Sequence, residues 1–128
     1  MSNPNVQVYG KKNPNLPFHP AVRAGDFVFL SGQVAKDEDG NMVSGTIELE
    51  THATLKACQR ILESAGCTLD DVVKATIFLE DARDFGRYNG VFKEYFPGGR
   101  LARTTVEARA AITTRIEIEM TAYKPLAK

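Results

Sequence analysis

Apolar residues along this chain follow two different periods, that of a helix and that of a strand. Residues 115–123 alternate strictly, so that Glu117 and Glu119 point away from the apolar side chains between them. Residues 46–65 instead carry apolar side chains such as Leu55 and Leu62 at helical spacing, and a glycine follows that can end a helix. The pattern therefore predicts one long helix and a half-buried C-terminal strand.

Shorter runs complete the set of predicted elements. Strands are expected at 6–9, 26–34, 41–43, 71–79 and 103–108, the second of them a central strand. A second helix is expected after Asp81, which can cap it, with Asp84 in its first turn and Pro97 after its end. That helix carries a row of aromatic side chains: Phe85, Tyr88, Phe92 and Phe96.

The order of these elements predicts an α+β fold. Two helices should cover one face of a mixed sheet, and residues 1–128 should form a single domain with an N-terminal strand and loop at 1–16. If the last two strands form a hairpin, Arg103 and Glu117 come close together. The polar sheet face is either open to solvent or packed against further copies of the chain, where it would line clefts or a central channel.

Charge and cysteine content narrow the classes of function. Sixteen basic residues balance sixteen acidic ones, so no net positive field recruits nucleic acid or an anionic membrane. No apolar run approaches the roughly 20 residues that a membrane helix needs, and no secretory or mitochondrial targeting pattern is visible. We expect a soluble cytoplasmic protein in which Cys58 and Cys67 stay reduced.

Several kinds of site have no support in the sequence. His19 and His52 are the only histidines, and neither belongs to a metal-binding spacing pattern. No serine lies in a nucleophile elbow, and no glycine-rich loop precedes a helix to hold phosphate. No metal is therefore expected, and no residue pattern points to a cofactor.

Two features could carry chemistry, and each has a plainer interpretation. Arg103 begins a strand beside two threonines and could hold a carboxylate through two parallel hydrogen bonds, or it could be a surface arginine paired with Glu107 or Glu117. Glu117 and Glu119 could orient or deprotonate a water in a sheltered pocket, or they could belong to a solvated strand face.

Several segments, taken together, resemble the RidA/YjgF family of reactive intermediate deaminases. They are Pro17-Phe18, the segment from Gly25 to Gln33, the segment from Asp70 to Thr76, Asn89 between Phe85 and Phe96, Ala102-Arg103, and the segment from Ile116 to Glu119. Each segment is a weak signal alone, but their order and spacing over residues 17–123 are specific.

The resemblance implies a chorismate-mutase-like fold and a homotrimer around a central barrel, with ligand clefts between subunits. It also implies hydrolysis of enamines and imines, such as 2-aminoacrylate and 2-iminopropanoate, to 2-keto acids and ammonia. Arg103 would bind the substrate carboxylate, and Glu117 would position the attacking water. The cleft would be shaped by residues matching the family's pocket: Phe18, Ser31, Gly32, Asn89 and Thr105.

Departures from the family pattern keep other functions open. Thr105 stands where a cysteine is common, Phe18 where many members have tyrosine, and Ala110-Ala111 where a Leu-Pro pair is common. A trimer that binds small carboxylates without turnover is one alternative, and a deaminase of a larger enamine such as 2-aminomuconate is another. A ribonuclease or translation inhibitor is a third, against which the balanced charge argues.

Overall fold

The structure is a computed structural model that describes residues 2–126. Its strands are β1 (Val6–Tyr9), β2 (Ala21–Ala24), β3 (Phe27–Leu30), β4 (Gln33–Val34), β5 (Val72–Leu79), β6 (Ala102–Glu107) and β7 (Ile116–Tyr123). Its α-helices are α1 (Ile47–Ser64) and α2 (Phe85–Tyr95). The predicted α+β class, a mixed sheet with two helices, is confirmed. Between residues 2 and 126, no helix has the length and apolarity needed to cross a membrane.

A single sheet joins all seven strands in the order β1-β2-β3-β7-β5-β6, and β4 pairs with the same strand β7 beyond the end of β3. The only parallel pair described is β5 with β6, which α2 connects. One face of the sheet packs on both helices, where Leu55 and Phe92 belong to the same buried cluster as Ile77 and Ile118. The other face has no element of the described chain over it.

Local signals explain both ends of α1. Thr46 accepts a hydrogen bond from the backbone of Leu49 at 3.1 Å and so satisfies one of the free amides of the first turn. Gly66 follows the helix with a φ of 76°, a conformation that costs glycine little. The helix predicted at 46–65 is confirmed with these caps as its limits.

The predicted central strand at 26–34 is instead two strands. The chain leaves the ladder at Ser31, whose backbone amide donates to the carbonyl of Pro20 at 2.9 Å, and it resumes as β4. Neither half can be told from the other by hydropathy, because both carry strand-forming residues.

Three smaller expectations also change. β2 was not predicted, because a four-residue strand containing Arg23 gives almost no pattern. The strand expected at 41–43 is one isolated bridge between Lys36 and Met42. Asp81 caps a 3-10 turn over Ala82–Asp84, and that turn leads directly into α2.

The last two strands do not form the hairpin that would have brought Arg103 and Glu117 close together. β5 lies between β6 and β7 and pairs with both of them. Two strand spacings of ~4.8 Å therefore separate β6 from β7. β5 can lie between β6 and β7 because α2 connects β5 to β6 as a strand-helix-strand crossover. β6 therefore joins the sheet at its edge, parallel to β5.

Candidate functional site

Arg103 opens into a small pocket beside α2, here called the Arg103 pocket. Its volume is about 250 Å³, and it is lined by Asn89, Phe92, Lys93, Phe96, Gly99, Leu101 and Arg103. One guanidinium nitrogen of Arg103 donates to the side-chain oxygen of Asn89 at 2.7 Å. Within residues 2–126, no carboxylate forms an ion pair with Arg103. The plainer interpretation, pairing with Glu107 or Glu117, is therefore wrong for the single chain.

Three aromatic rings of α2 hold the guanidinium of Arg103 in place. Its central carbon lies 5.7 Å from the ring centre of Phe85, 5.2 Å from that of Tyr88 and 4.8 Å from that of Phe92. Ring faces attract a cation without using its N–H donors. The arginine is thus oriented by the protein while most of its donors remain available to a planar anion.

Thr105 lies on the same side of β6 and supports this arrangement. Its hydroxyl and that of Tyr88 are 2.5 Å apart and share a hydrogen bond. Burial raises the pKa of Tyr88, so the phenol stays protonated at neutral pH. Thr105 therefore anchors the base of the aromatic cluster, a role that its hydroxyl can fill and that the sequence did not predict.

Glu117 belongs to a different surface, here called the Glu117 groove. This groove has a volume of about 610 Å³ and includes Phe18, Gly32 and Ala111 in its walls. The carboxylate of Glu117 lies directly against Gly32, and a Cβ there would overlap with one of its oxygens. The break between β3 and β4 thus places the backbone of Gly32, which has no side chain, against the Glu117 carboxylate.

The surroundings of Glu117 favour its protonated form. Burial raises the pKa of this carboxyl above its ordinary value of 4.5, and the neighbouring charge of Glu119 raises it further. A carboxylate with a raised pKa is a stronger base once it is ionised, which suits it to take a proton from water.

Ser31 organises the groove from the side. Its hydroxyl donates to the backbone oxygen of His19 at 2.7 Å, next to Phe18. The Phe18 side chain, half of it exposed, forms part of the groove wall. Ser31 therefore holds the segment that presents Phe18, and this hydrogen bond occupies its own donor.

The seven candidate residues fall into two sets, one with Arg103 and one with Glu117, and these two side chains point to opposite faces of the sheet. In the sheet, Arg103 lies opposite Ala75, and Ala75 lies opposite Met120. Ala75 and Met120 are buried under the helices, so Arg103 points to the helix-covered side. Glu117 pairs with Phe78 and alternates with the buried Ile116 and Ile118, so it points to the open side. Asn89 and Thr105 accompany Arg103, whereas Phe18, Ser31 and Gly32 accompany Glu117.

Sequence reasoning missed the aromatic side chains around Arg103. The sequence shows Phe85, Tyr88 and Phe92 only as part of a row of aromatic side chains at spacings of three and four residues along a predicted helix. Asn89 within the same run was the available signal, because it places a polar side chain next to that row. Among the described residues, no group of three or more His, Cys, Asp or Glu side chains could hold a metal ion.

Comparison with known proteins identifies the family. A sequence model of the Endoribonuclease L-PSP family, to which the YjgF/RidA proteins belong, matches residues 10–124. The chain belongs to this family. The predicted resemblance to RidA/YjgF proteins is thereby confirmed.

Two curated relatives of this family and one solved structure show how close the likeness is. A RutC family protein of Pyrococcus horikoshii is 42% identical over 113 residues, which are 87% of this chain and 90% of that protein. The 2-iminobutanoate/2-iminopropanoate deaminase of Mus musculus is 38% identical over 84% of this chain and 82% of its own length. YyfA of Yersinia pestis, a Rid family protein of unknown function, has a TM-score of 0.85 at 32% identity, covering 92% of this chain and 98% of its own.

Proposed function

We propose that this chain is a cytoplasmic hydrolase that deaminates reactive enamines and imines of the 2-aminoacrylate and 2-iminopropanoate type. The observation that carries the proposal is the oriented Arg103, which has no carboxylate partner among residues 2–126. The mouse relative, named as a deaminase of such imines, supports the same choice of substrate.

The proposed role of Arg103 is to bind the substrate carboxylate through two parallel hydrogen bonds. Asn89 and the three rings keep the guanidinium from turning toward solvent. A fixed carboxylate places the adjacent C=N carbon at a fixed distance from the rest of the cleft. This positioning supplies a large part of the catalysis, since a protonated imine is already electrophilic and needs no cofactor.

The proposed role of Glu117 is to hold and deprotonate the attacking water. The water oxygen bonds to the imine carbon, the C=N double bond becomes a single bond, and the nitrogen takes up a proton. Collapse of this carbinolamine breaks the remaining C–N bond and releases ammonia and a 2-keto acid. The overall balance is one imine and one water giving one keto acid and one ammonia.

We further propose that the complete site forms between copies of the chain in a homotrimer. A cleft that contains both Arg103 and Glu117 needs two copies, because one copy carries them on opposite faces of its sheet. Contact between two different surfaces is head-to-tail, and such contacts give a ring when the rotation between copies closes, as it does in a trimer. The open sheet face also presents exposed apolar side chains that a second copy would cover: Val8, Phe27, Phe29, Val106 and Tyr123.

Replacing Arg103 tests the proposed function. With an imine generated in situ by an amino-acid oxidase, Arg103→Ala should lower kcat/KM by about two to three orders of magnitude, because a bidentate charge-assisted contact is lost. The kcat/KM of Arg103→Lys should lie between those of Arg103→Ala and the wild type, since lysine keeps the charge but cannot donate two parallel hydrogen bonds. Arg83→Ala, an exposed arginine paired with Asp81, is the matched control and should leave activity unchanged. Full activity in Arg103→Ala would reject Arg103 as the residue that binds the substrate carboxylate.

Two alternative functions have specific support. Binding without turnover is favoured by the departures at Phe18 and Thr105, and it would show as keto-acid binding in a protein that accelerates no imine hydrolysis. Endoribonuclease activity is suggested by the name of the matching family. It would show as RNA cleavage that survives Arg103→Ala and is lost when an exposed basic residue such as Arg100 is replaced.

A further inference from the structure

The Arg103 pocket contains a second cation that the proposed reaction does not use. Lys93 lines this pocket, and both charged groups in its wall are positive. A substrate with a single carboxylate would occupy Arg103 and leave Lys93 without an anion. The charge of the pocket is therefore larger than 2-iminopropanoate requires.

The placement of Lys93 on α2 brings it to the same side as the groups that hold Arg103. It lies four residues after Asn89, which is one turn further along one face of the helix. Phe92 and Phe96 line the same pocket, so its wall combines the two cations with apolar rings. Coulombic attraction is stronger beside such apolar walls than in open solvent.

Neither cation is neutralised within the described chain. The ion pairs found between residues 2 and 126 use five other cations: Arg83, Arg87, Arg109, Arg115 and Lys124. The Arg103 pocket also has no acidic residue in its wall. Two cations that share a pocket without a carboxylate repel each other, and a bound dianion would relieve that repulsion.

The pocket also has room for a longer ligand. An adjoining groove of about 550 Å³ shares Phe96 and Gly99 with it and continues past Tyr95 to Arg100. A ligand longer than 2-iminopropanoate therefore has space beside the pocket.

We propose that Lys93 is a specificity-determining residue that holds a second carboxylate, so that this chain prefers 2-imino dicarboxylates, the imines of acidic amino acids. This inference rests on the proposed deaminase function and refines its substrate class. Arg103 binds the carboxylate next to the imine carbon, and Lys93 binds the carboxylate at the far end. The reaction itself is unchanged: water adds to the imine carbon, the C–N bond breaks, and a keto dicarboxylate and ammonia leave.

A comparison of two imines in two lysine variants tests the role of Lys93. Imines of glutamate and of alanine are generated in situ by amino-acid oxidases, and the hydrolysis rate above that in buffer is measured. Lys93→Met should lower kcat/KM for the glutamate imine about tenfold, mainly through KM, and change that for the alanine imine less than about twofold. Lys56→Met replaces an exposed lysine on α1 that lines none of these pockets, and it should change neither value. The loss in Lys93→Met should shrink at high salt, because Lys93 is exposed.

A binding measurement separates failure of this inference from failure of the proposed function. Calorimetry compares the affinity of wild type and Lys93→Met for 2-oxoglutarate and for 2-oxobutanoate. A selective loss of 2-oxoglutarate affinity supports Lys93 as the second anion site even if no imine is hydrolysed faster than in buffer, a result that would reject the deaminase alone. Equal effects on both imines and both keto acids, or no effect on any of them, would overturn the inference.

Discussion

At the scale of single residues, the arrangement around Arg103 separates orientation from binding. The rings of Phe85, Tyr88 and Phe92 contact the guanidinium through their faces, and Asn89 accepts one of its hydrogen bonds. A salt bridge within the chain would have oriented the same group, but it would have neutralised the charge that an anion needs. Aromatic contacts and an amide leave that charge in place.

Glu119 offers a way to measure the protonation of Glu117. If ionised Glu117 activates water, activity is lost as the pH falls through its pKa, which burial and the charge of Glu119 hold above 4.5. Glu119→Gln removes the second of these two causes, so the acidic limb of the pH–rate profile should move to lower pH. The rate on the plateau should fall slightly, because a carboxylate with a lower pKa is a weaker base.

The control for this prediction is Glu63→Gln, an exposed glutamate at the end of α1. Its acidic limb should coincide with that of the wild type. The same raised pKa also affects stability. The pKa of Glu117 is higher in the folded chain than in the unfolded chain, so its contribution to the free energy of unfolding falls as the pH rises above 4.5. An acidic limb in Glu119→Gln that stays in place, or moves to higher pH, would contradict the assignment of Glu117 as the base.

At the scale of elements, the interruption between β3 and β4 is the feature that makes the Glu117 groove. The chain leaves the sheet between Leu30 and Gln33, and because Gly32 has no side chain its backbone can lie directly against the Glu117 carboxylate. Gly32→Ala should therefore displace the carboxylate and lower kcat by at least about tenfold, since a misplaced base costs that much in comparable cases. Steady-state rates and thermal unfolding of the same preparation measure the two effects separately.

Gly86→Ala is the matched control for Gly32→Ala. A Cβ at Gly86 meets no atom within 4 Å, and the residue lies within α2. Alanine there should keep full activity and add up to about 1 kcal/mol of stability, because glycine is a poor helix former. If Gly32→Ala were as active as Gly86→Ala, the close approach of the Glu117 carboxylate would have no functional importance.

The elements also show how far sequence patterns reach. The helical period of α1 and the alternation of β7 predicted their type, and Gly66 predicted where α1 ends. These signals are local. The pairing of β5 between β6 and β7 depends on contacts distant in the chain, so sequence patterns left the relative position of Arg103 and Glu117 open. The roles of Phe18, Asn89 and the other candidate residues stay predictions.

At the scale of the whole molecule, mixing two impaired variants tests whether sites are shared between copies. Arg103→Ala and Glu117→Gln should each keep only a small fraction of wild-type activity alone, because every site lacks one group. Trimers reassembled from an equal mixture should regain roughly one quarter of wild-type activity, since a random arrangement places both intact residues in one site with that frequency. Reassembly is done by mild unfolding and refolding, and the activity of the product is measured.

Two further mixtures serve as controls for the reassembly. Arg103→Ala refolded with Asn89→Ala should gain nothing beyond the activity of the separate variants, because both changes affect the same half of the site. Wild type refolded alone reports the losses caused by the procedure. Absence of recovered activity in the mixture of Arg103→Ala with Glu117→Gln, after full recovery of the wild type, would refute a site shared between copies.

The separation of Arg103 and Glu117 on the two faces of one sheet has a consequence for how the protein behaves when it is scarce. In the proposed arrangement, a newly made chain carries parts of two different sites and no complete one. Catalysis would then rise more steeply than in proportion to the amount of protein, until assembly saturates. A cell that makes little of the chain would have almost none of the activity, and small changes in its production would act as a threshold.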